Sequence, residues 1–148
     1  PLGADALRNR STSVKSMTSL ATPSNTRVLL TPNRKRTILD WVFVLLNDPE
    51  GAALVGEQAD VTGFVYHDEG MDAETFLLSR FVVSCCAADA VPVSLPVFWS
   101  GSGSLENDQC VEVSGLFEFR EIAGTRAAVL IADTVTLVEM PEMPYLYP

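Results

Sequence analysis

The feature that most constrains the fold is a period of two in the hydrophobic pattern that begins near residue 60. Two sets of side chains alternate along residues 61–66, namely Val61, Gly63 and Val65, and Thr62, Phe64 and Tyr66. Because successive side chains of a β-strand point to opposite faces, this alternation predicts a strand. Further strands are predicted at 76–84, 91–99, 110–120 and 127–139, and Pro92 and Pro96 confine the third of the five strands to an edge or a bulge.

Glycines in the middle of two strands favour a small closed barrel. Gly63 and Gly115 lie where the strands of such barrels bend sharply. We therefore predict a mainly β protein with a small five-stranded antiparallel barrel, OB-like, over residues 59–139, and a small open sandwich as the alternative. The usual OB helix between strands three and four has no room in residues 101–109. The fourth and fifth strands are expected to pair across residues 122–125.

One segment has the pattern of an amphipathic helix. Thr37 can cap a helix that ends in the turn 47–51, and its apolar side chains recur at helical spacing: Ile38, Trp41, Val42, Leu45 and Leu46. We predict that this N-terminal helix packs against the barrel through Trp41.

Charge divides the chain into two parts. Residues 1–36 carry seven basic residues and one acid (net +6), whereas residues 37–148 carry three arginines and eighteen acids (net −15). The sequence predicts a flexible basic tether over residues 1–35, of which residues 1–25 make few contacts with the barrel, and a barrel domain over 36–148 with an extended C-terminal tail. Such a tether either binds a partner or is a solvated linker.

The sequence lacks the motifs that several classes of enzymes and binding proteins require. The chain has no phosphate-binding loop, no CxxC or HExxH pattern, and a single histidine, His67, without a nucleophile motif. A body with a net charge of −15 repels nucleic acid, which needs a basic groove with stacking aromatic side chains. We therefore expect neither an enzyme nor a nucleic-acid-binding protein. No apolar run approaches the roughly 18 residues of a membrane span.

Two adjacent cysteines follow the second strand. Cys85 falls on the face of Phe81 and predicts a buried thiol, which makes Cys86 the more accessible one. Asp89 in a tight turn can approach Cys86, so Cys86 and Asp89, with Cys85, are candidate metal ligands. In the alternative interpretation, Cys85 packs in the core and Asp89 caps the turn through backbone amides.

The third cysteine is expected to lie elsewhere. If the first two strands form a hairpin, His67 lies opposite the start of the second strand and roughly 30 Å from Cys85 along the strand. OB topology then places Cys110 near the His67 end. We predict no disulfide between Cys110 and Cys85 or Cys86.

Residues 63–65, 78–90 and 92–93 resemble the C-terminal domain of the YcgQ-type family, uncharacterised bacterial membrane proteins described as permease subunits. The resemblance covers residues 36–147, including the Trp41 helix, Gly56 and Pro144; Cys110 departs from it, because family members tend to have Trp there.

The resemblance implies upstream membrane helices, with residues 1–25 leaving the bilayer, a cell-membrane-associated location and a multi-spanning permease as the partner. It also suggests transition-metal handling, with zinc as the candidate cofactor. Basic residues near a span and unpaired cysteines favour the cytoplasmic side, although the side of the membrane stays open. Two hypotheses follow: an accessory module of a transporter that contacts a metal, or a purely structural interaction domain that docks the permease.

Overall fold

The computed structural model describes residues 3–4, 32–48, 54–85, 87–122 and 124–147. Within these residues the secondary structure includes three short 3₁₀ turns, one longer helix and six strands: α1 (Ile38–Asn47), β1 (Gln58–Tyr66), β2 (Thr75–Val82), β3 (Val91–Phe98), β4 (Cys110–Ile122), β5 (Thr125–Leu137) and β6 (Tyr145–Leu146). Neither α1 nor any other helix in the described ranges has the length and apolar character needed to cross a bilayer. The predicted helix and the five predicted strands are all present.

Strands β1 to β5 close into a barrel with OB-like topology. The strand order is β1-β4-β5-β3-β2, and β1 also pairs with β2. All neighbouring pairs are antiparallel except β3 and β5, which are parallel at Val97 and Phe98. Because five strands cannot alternate in direction around a closed ring, one neighbouring pair must be parallel. The predicted OB-like barrel is therefore confirmed, with this one departure from an antiparallel arrangement.

Two glycines in β1 and β4 lie where the backbones of neighbouring strands approach closely. A Cβ atom at position 63 would lie 2.8 Å from the carbonyl oxygen of Ser79, and one at position 115 would overlap the carbonyl oxygen of Ile131. The register of β4 with β5 shifts between Ser114 and Gly115, as in a β-bulge. Close backbone approach therefore excludes any side chain at these two positions.

Helix α1 fills the barrel from outside the five-strand unit. Its N-terminus is a capping box, in which the Thr37 hydroxyl accepts from the Asp40 amide at 3.3 Å and the Asp40 carboxylate accepts from the Thr37 amide at 3.0 Å. Trp41 is fully buried, and its ring lies 5.1 Å from that of Phe117 in β4. The predicted packing through Trp41 is confirmed. Between β3 and β4 the described chain has a short 3₁₀ turn, Ser102–Ser104, in place of the usual OB helix.

Buried apolar side chains form two clusters on opposite faces of β2. The larger cluster fills the barrel and includes Leu78 and Val82. The smaller cluster contains Phe81, Val83 and Ala90, with Tyr145 among the half-buried side chains packed against it. The alternation predicted along β2 therefore holds as far as Val83.

The two ends of the chain both contact the barrel. The C-terminal tail was expected only to be extended, but its β6 pairs in parallel with β2 at Phe81 and Val82. Near the N-terminus, Ala4 is buried and its amide donates to the Asp108 carboxylate at 2.6 Å. The remaining residues of the predicted tether, up to residue 31, lie outside the described residues.

Candidate functional site

The turn that follows β2 is held by its own aspartate. One Asp89 carboxylate oxygen accepts from the Ser84 amide at 3.1 Å, and the other accepts from the Cys85 amide at 2.9 Å. Asp89 itself ends a short 3₁₀ turn, Ala87–Asp89. A carboxylate that accepts two backbone amides fixes the chain direction on both sides of the turn. This is the geometry of the capping interpretation of Asp89.

The cysteines of the turn differ from the sequence expectation. Cys85 is exposed, so the prediction that it packs in the core is wrong. Strand β2 ends at Val82, and side-chain alternation no longer applies once the chain turns. Cys86 lies outside the described residues, and so does the prediction that its thiol is the more accessible of the two. In the parts of the chain that the structure describes, no group of three or more His, Cys, Asp or Glu side chains is arranged to hold a metal ion.

Cys110 lies at the other end of the first hairpin, as predicted. It pairs with Phe64 of β1, three residues before His67. The backbone amide of His67 donates to Asn107 at 2.8 Å, and its ring Nε2 lies 2.7 Å from the carbonyl oxygen of Leu105. No disulfide joins Cys110 to Cys85. The pairing with Phe64 places Cys110 near the His67 end of β1, as OB topology predicted.

The electrostatic environment of Cys110 involves one of the three arginines of the acidic body. Burial raises the pKa of the Cys110 thiol; the Arg80 guanidinium opposes this shift, and Asp108 adds to it. Burial lowers the pKa of Arg80, and Cys110 opposes that shift. Arg80 also donates to the carbonyl oxygen of Met143 at 2.7 Å. No role was predicted for Arg80 from the sequence. An arginine inside a predicted strand of an acidic domain could have indicated a specific contact.

A shallow groove of about 70 Å³ lies on another part of the barrel, between the β1–β2 loop and the β4–β5 hairpin. The Arg120 guanidinium stacks over the Phe98 ring at 4.8 Å from its centroid. Asp72 and Glu121 also line the groove. Because both signs of charge meet here within a small volume, the groove is not built for a strongly charged ligand.

The comparisons with known proteins identify the family. Residues 13–148 match the model of the DUF1980 C-terminal domain. The chain belongs to this family. The match includes all of residues 36–147, on which the sequence resemblance rests, and the family is uncharacterised. No curated protein matches the chain.

Three solved structures are similar to the chain. The N-terminal domain of PriB protein from Thermoanaerobacter tencongensis is 13% identical, with a TM-score of 0.37 over 55% of this chain and 96% of that chain. An OBody bound to hen egg-white lysozyme is 17% identical, with a TM-score of 0.41 over 74% of this chain and 96% of that chain. A second OBody bound to the same lysozyme is 14% identical, with a TM-score of 0.39 over 74% and 97%. The OB-like assignment rests on the strand order described above.

Proposed function

We propose that this chain is the non-catalytic extramembrane domain of a membrane-anchored transporter accessory subunit, and that it docks a partner permease. The proposal rests on the hydrogen bonds that the Asp89 side chain makes. Both of its carboxylate oxygens accept backbone amides, so the side chain shapes the 84–89 turn. This favours the interaction hypothesis over one in which Asp89 serves mainly as a metal ligand.

The 84–89 turn has the properties of a preorganised contact surface. Ser84, Cys85, Ala88 and Asp89 are exposed, whereas Val83 and Ala90 on either side of the turn are buried in the smaller apolar cluster. The described part of the turn is therefore anchored at both ends, and Asp89 at its end accepts the two amides at its start. A preorganised exposed turn loses little conformational entropy when a partner binds, which favours affinity.

Charge supports a protein partner with a basic surface. Residues 37–148 carry eighteen acids against three arginines. Such a body is repelled by anionic lipid headgroups and attracted to clusters of lysine and arginine. The cytoplasmic loops of multi-spanning membrane proteins are enriched in these residues. A permease loop on that side of the membrane therefore has the charge that this domain complements.

A docking measurement tests the proposal with a matched control. The full-length subunit is co-expressed with the permease, and the amount of permease that co-purifies is measured for wild type, Asp89→Ala and Asp68→Ala. Asp68 is the control because its carboxylate also accepts a nearby amide, that of Gly70 at 3.0 Å, in a different loop.

We expect Asp89→Ala to reduce co-purification at least tenfold while the domain stays folded, because both hydrogen bonds that the Ser84 and Cys85 amides donate to Asp89 are exposed and lie outside the two apolar clusters. Asp68→Ala should bind like wild type. Equal binding by wild type and Asp89→Ala would contradict the proposal. Equal loss in both variants would show that general acidity, not the turn, determines docking.

Metal contact is the second candidate, and the position of Cys85 favours testing it. Its exposed side chain lies on the same turn as the Asp89 carboxylate, which is 2.9 Å from its amide nitrogen. A thiolate and a carboxylate are both zinc ligands. Zinc titration by calorimetry of wild type and of Cys85→Ser/Cys86→Ser separates the two candidates. Stoichiometric binding that the double variant abolishes would support the metal site, and identical traces would leave docking as the function.

A further inference from the structure

One edge of β2 is shared between two other strands. Strand β3 pairs with β2 along its whole length, from Thr75 to Val82. On the opposite edge, β1 pairs with β2 only at residues 77–79. Strand β6 then pairs with Phe81 and Val82 on that same edge, since β3 already occupies the other one. The end of β2 next to the 84–89 turn therefore depends on the C-terminal tail for its hydrogen-bonding partner.

A small set of specific contacts holds β6 in this position. The Val83 amide donates to the carbonyl oxygen of Leu146 at 2.9 Å, and Arg80 donates to that of Met143 at 2.7 Å. Tyr145 packs against the smaller apolar cluster, and Leu146 packs against the larger one. The edge thus recognises an extended segment with two correctly placed carbonyl groups, one aromatic side chain and one aliphatic side chain. The C-terminal tail of this chain meets all of these requirements.

The stretch from the end of β5 to the residue after β6 exposes an unusual amount of apolar surface, to which the connecting segment 138–144 contributes Met140 and Met143. Six large apolar side chains are exposed in the described part of the chain, and four of them lie between residues 137 and 147: Leu137 (62%), Met140 (53%), Met143 (63%) and Tyr147 (51%). Apolar groups concentrated on one surface segment usually mark a contact with another molecule. Pro141 and Pro144 restrict the conformations of this segment. Short, conformationally restricted hinges favour exchange of a terminal strand between copies, which is a low-cost route to a dimer.

We propose that β6 exchanges between two copies of this chain, so that the tail of each copy completes β2 of the other. In the exchanged dimer the edge residues and the incoming tail make the contacts they make within one chain. The gain is burial of the connecting segments, which run side by side between the two barrels. The partner copy then supplies Tyr145 and Leu146 next to the 84–89 turn. This inference rests on the β6 contacts and is independent of what the turn binds.

A hinge deletion in the full chain provides the first test. Removing residues 140–142 shortens the connection by about 10 Å, so β6 can no longer reach its own β2. We expect the variant to have twice the 16.0 kDa mass of the chain by light scattering, with the Val83 amide still protected from hydrogen exchange. A monomer would overturn the proposal. A dimer with an unprotected Val83 amide would overturn it as well, because the contact would not involve β6.

A complementary pair of full-length variants provides the second test. Tyr145→Ser/Leu146→Ser damages the tail but leaves the edge intact, whereas Val83→Pro removes the amide that Leu146 needs and leaves the tail intact. Each variant alone should be monomeric, and an equimolar mixture should form a heterodimer. A mixture that remains monomeric would contradict strand exchange. If Val83→Pro does not fold, the hinge deletion still decides the question.

Discussion

Trp41 provides the sharpest test of how the helix and barrel form one domain. Its side chain is fully buried, lies 5.1 Å from the Phe117 ring and is covered by the Arg36 guanidinium at 4.8 Å from the ring centroid. Replacing Trp41 by Ala removes this packing and leaves a cavity, which costs about 3–5 kcal/mol. For a domain of this size, each kcal/mol shifts the melting temperature by roughly 2–4 °C. The melting temperature of Trp41→Ala should therefore fall by about 10 °C.

Trp41→Phe is the informative control, because two effects oppose each other. Among the residues that the structure describes, the buried indole Nε1 has no hydrogen-bond partner, and an unsatisfied buried donor costs about 1–3 kcal/mol. Phenylalanine removes this donor and keeps an aromatic ring against Phe117, at the expense of a smaller side-chain volume. We expect its free energy of unfolding in urea, followed by far-UV circular dichroism, to lie within about 1.5 kcal/mol of wild type. A loss as large as that of Trp41→Ala would refute the argument about the indole nitrogen, and a loss below 1 kcal/mol in Trp41→Ala itself would refute the packing argument.

Three further predictions concern other parts of the chain. Gly115→Ala should lower the melting temperature by several degrees because its Cβ would overlap a carbonyl oxygen of β5, whereas Gly103→Ala, with open space around it, should not. A chain that begins near Arg27 should melt within a few degrees of the full chain, because the removed segment has little apolar surface and the hydrogen bond from the Ala4 amide to Asp108 contributes only about 1 kcal/mol; loss of folding would show that the segment belongs to the domain. Burial raises the pKa of Cys110, so the folded state holds this proton more tightly than the unfolded state does. The resulting stabilisation is present below the pKa of the unfolded state and is lost as pH rises through the raised pKa of the folded state. The free energy of unfolding in urea should therefore decline between pH 8 and about pH 10, and Cys110→Ala should reduce this decline. The same dependence on pH in both proteins would contradict this prediction.

The elements that sequence predicted correctly are those with strong local signals. Thr37 and Asp40 satisfy each other at the start of α1, which requires only a spacing of three residues. The alternation in β1 appears directly as burial of Ala59, Val61 and Val65. The parallel β3–β5 pair could also have been predicted, since an odd number of strands requires one, but the argument needs barrel closure to be recognised first.

The features that sequence reasoning missed depend on contacts between distant residues. Cys85 was assigned to the core by extending the alternation of β2 past its last paired residue, Val82. Beyond Val82 the Asp89 carboxylate accepts the amides of Ser84 and Cys85, which is the alternative interpretation of Asp89 that the sequence offered. Strand β6 has only two residues, Tyr145 and Leu146, too few for any periodic pattern. It exists because β1 leaves part of a distant edge unpaired.

The segments outside the five strands therefore determine the local structure of the candidate site. The 84–89 turn begins where the Val83 amide donates to the tail, and Ala90 at its other end packs in the cluster that Tyr145 covers. A protein reduced to residues 59–139 would keep every strand of the barrel but lose both Trp41 and Tyr145. Its interior would be open, and its turn would be anchored only by Asp89. The proposed docking of a partner consequently requires the helix, the barrel and the tail together, and under the proposed strand exchange a second copy would reach the turn through its tail.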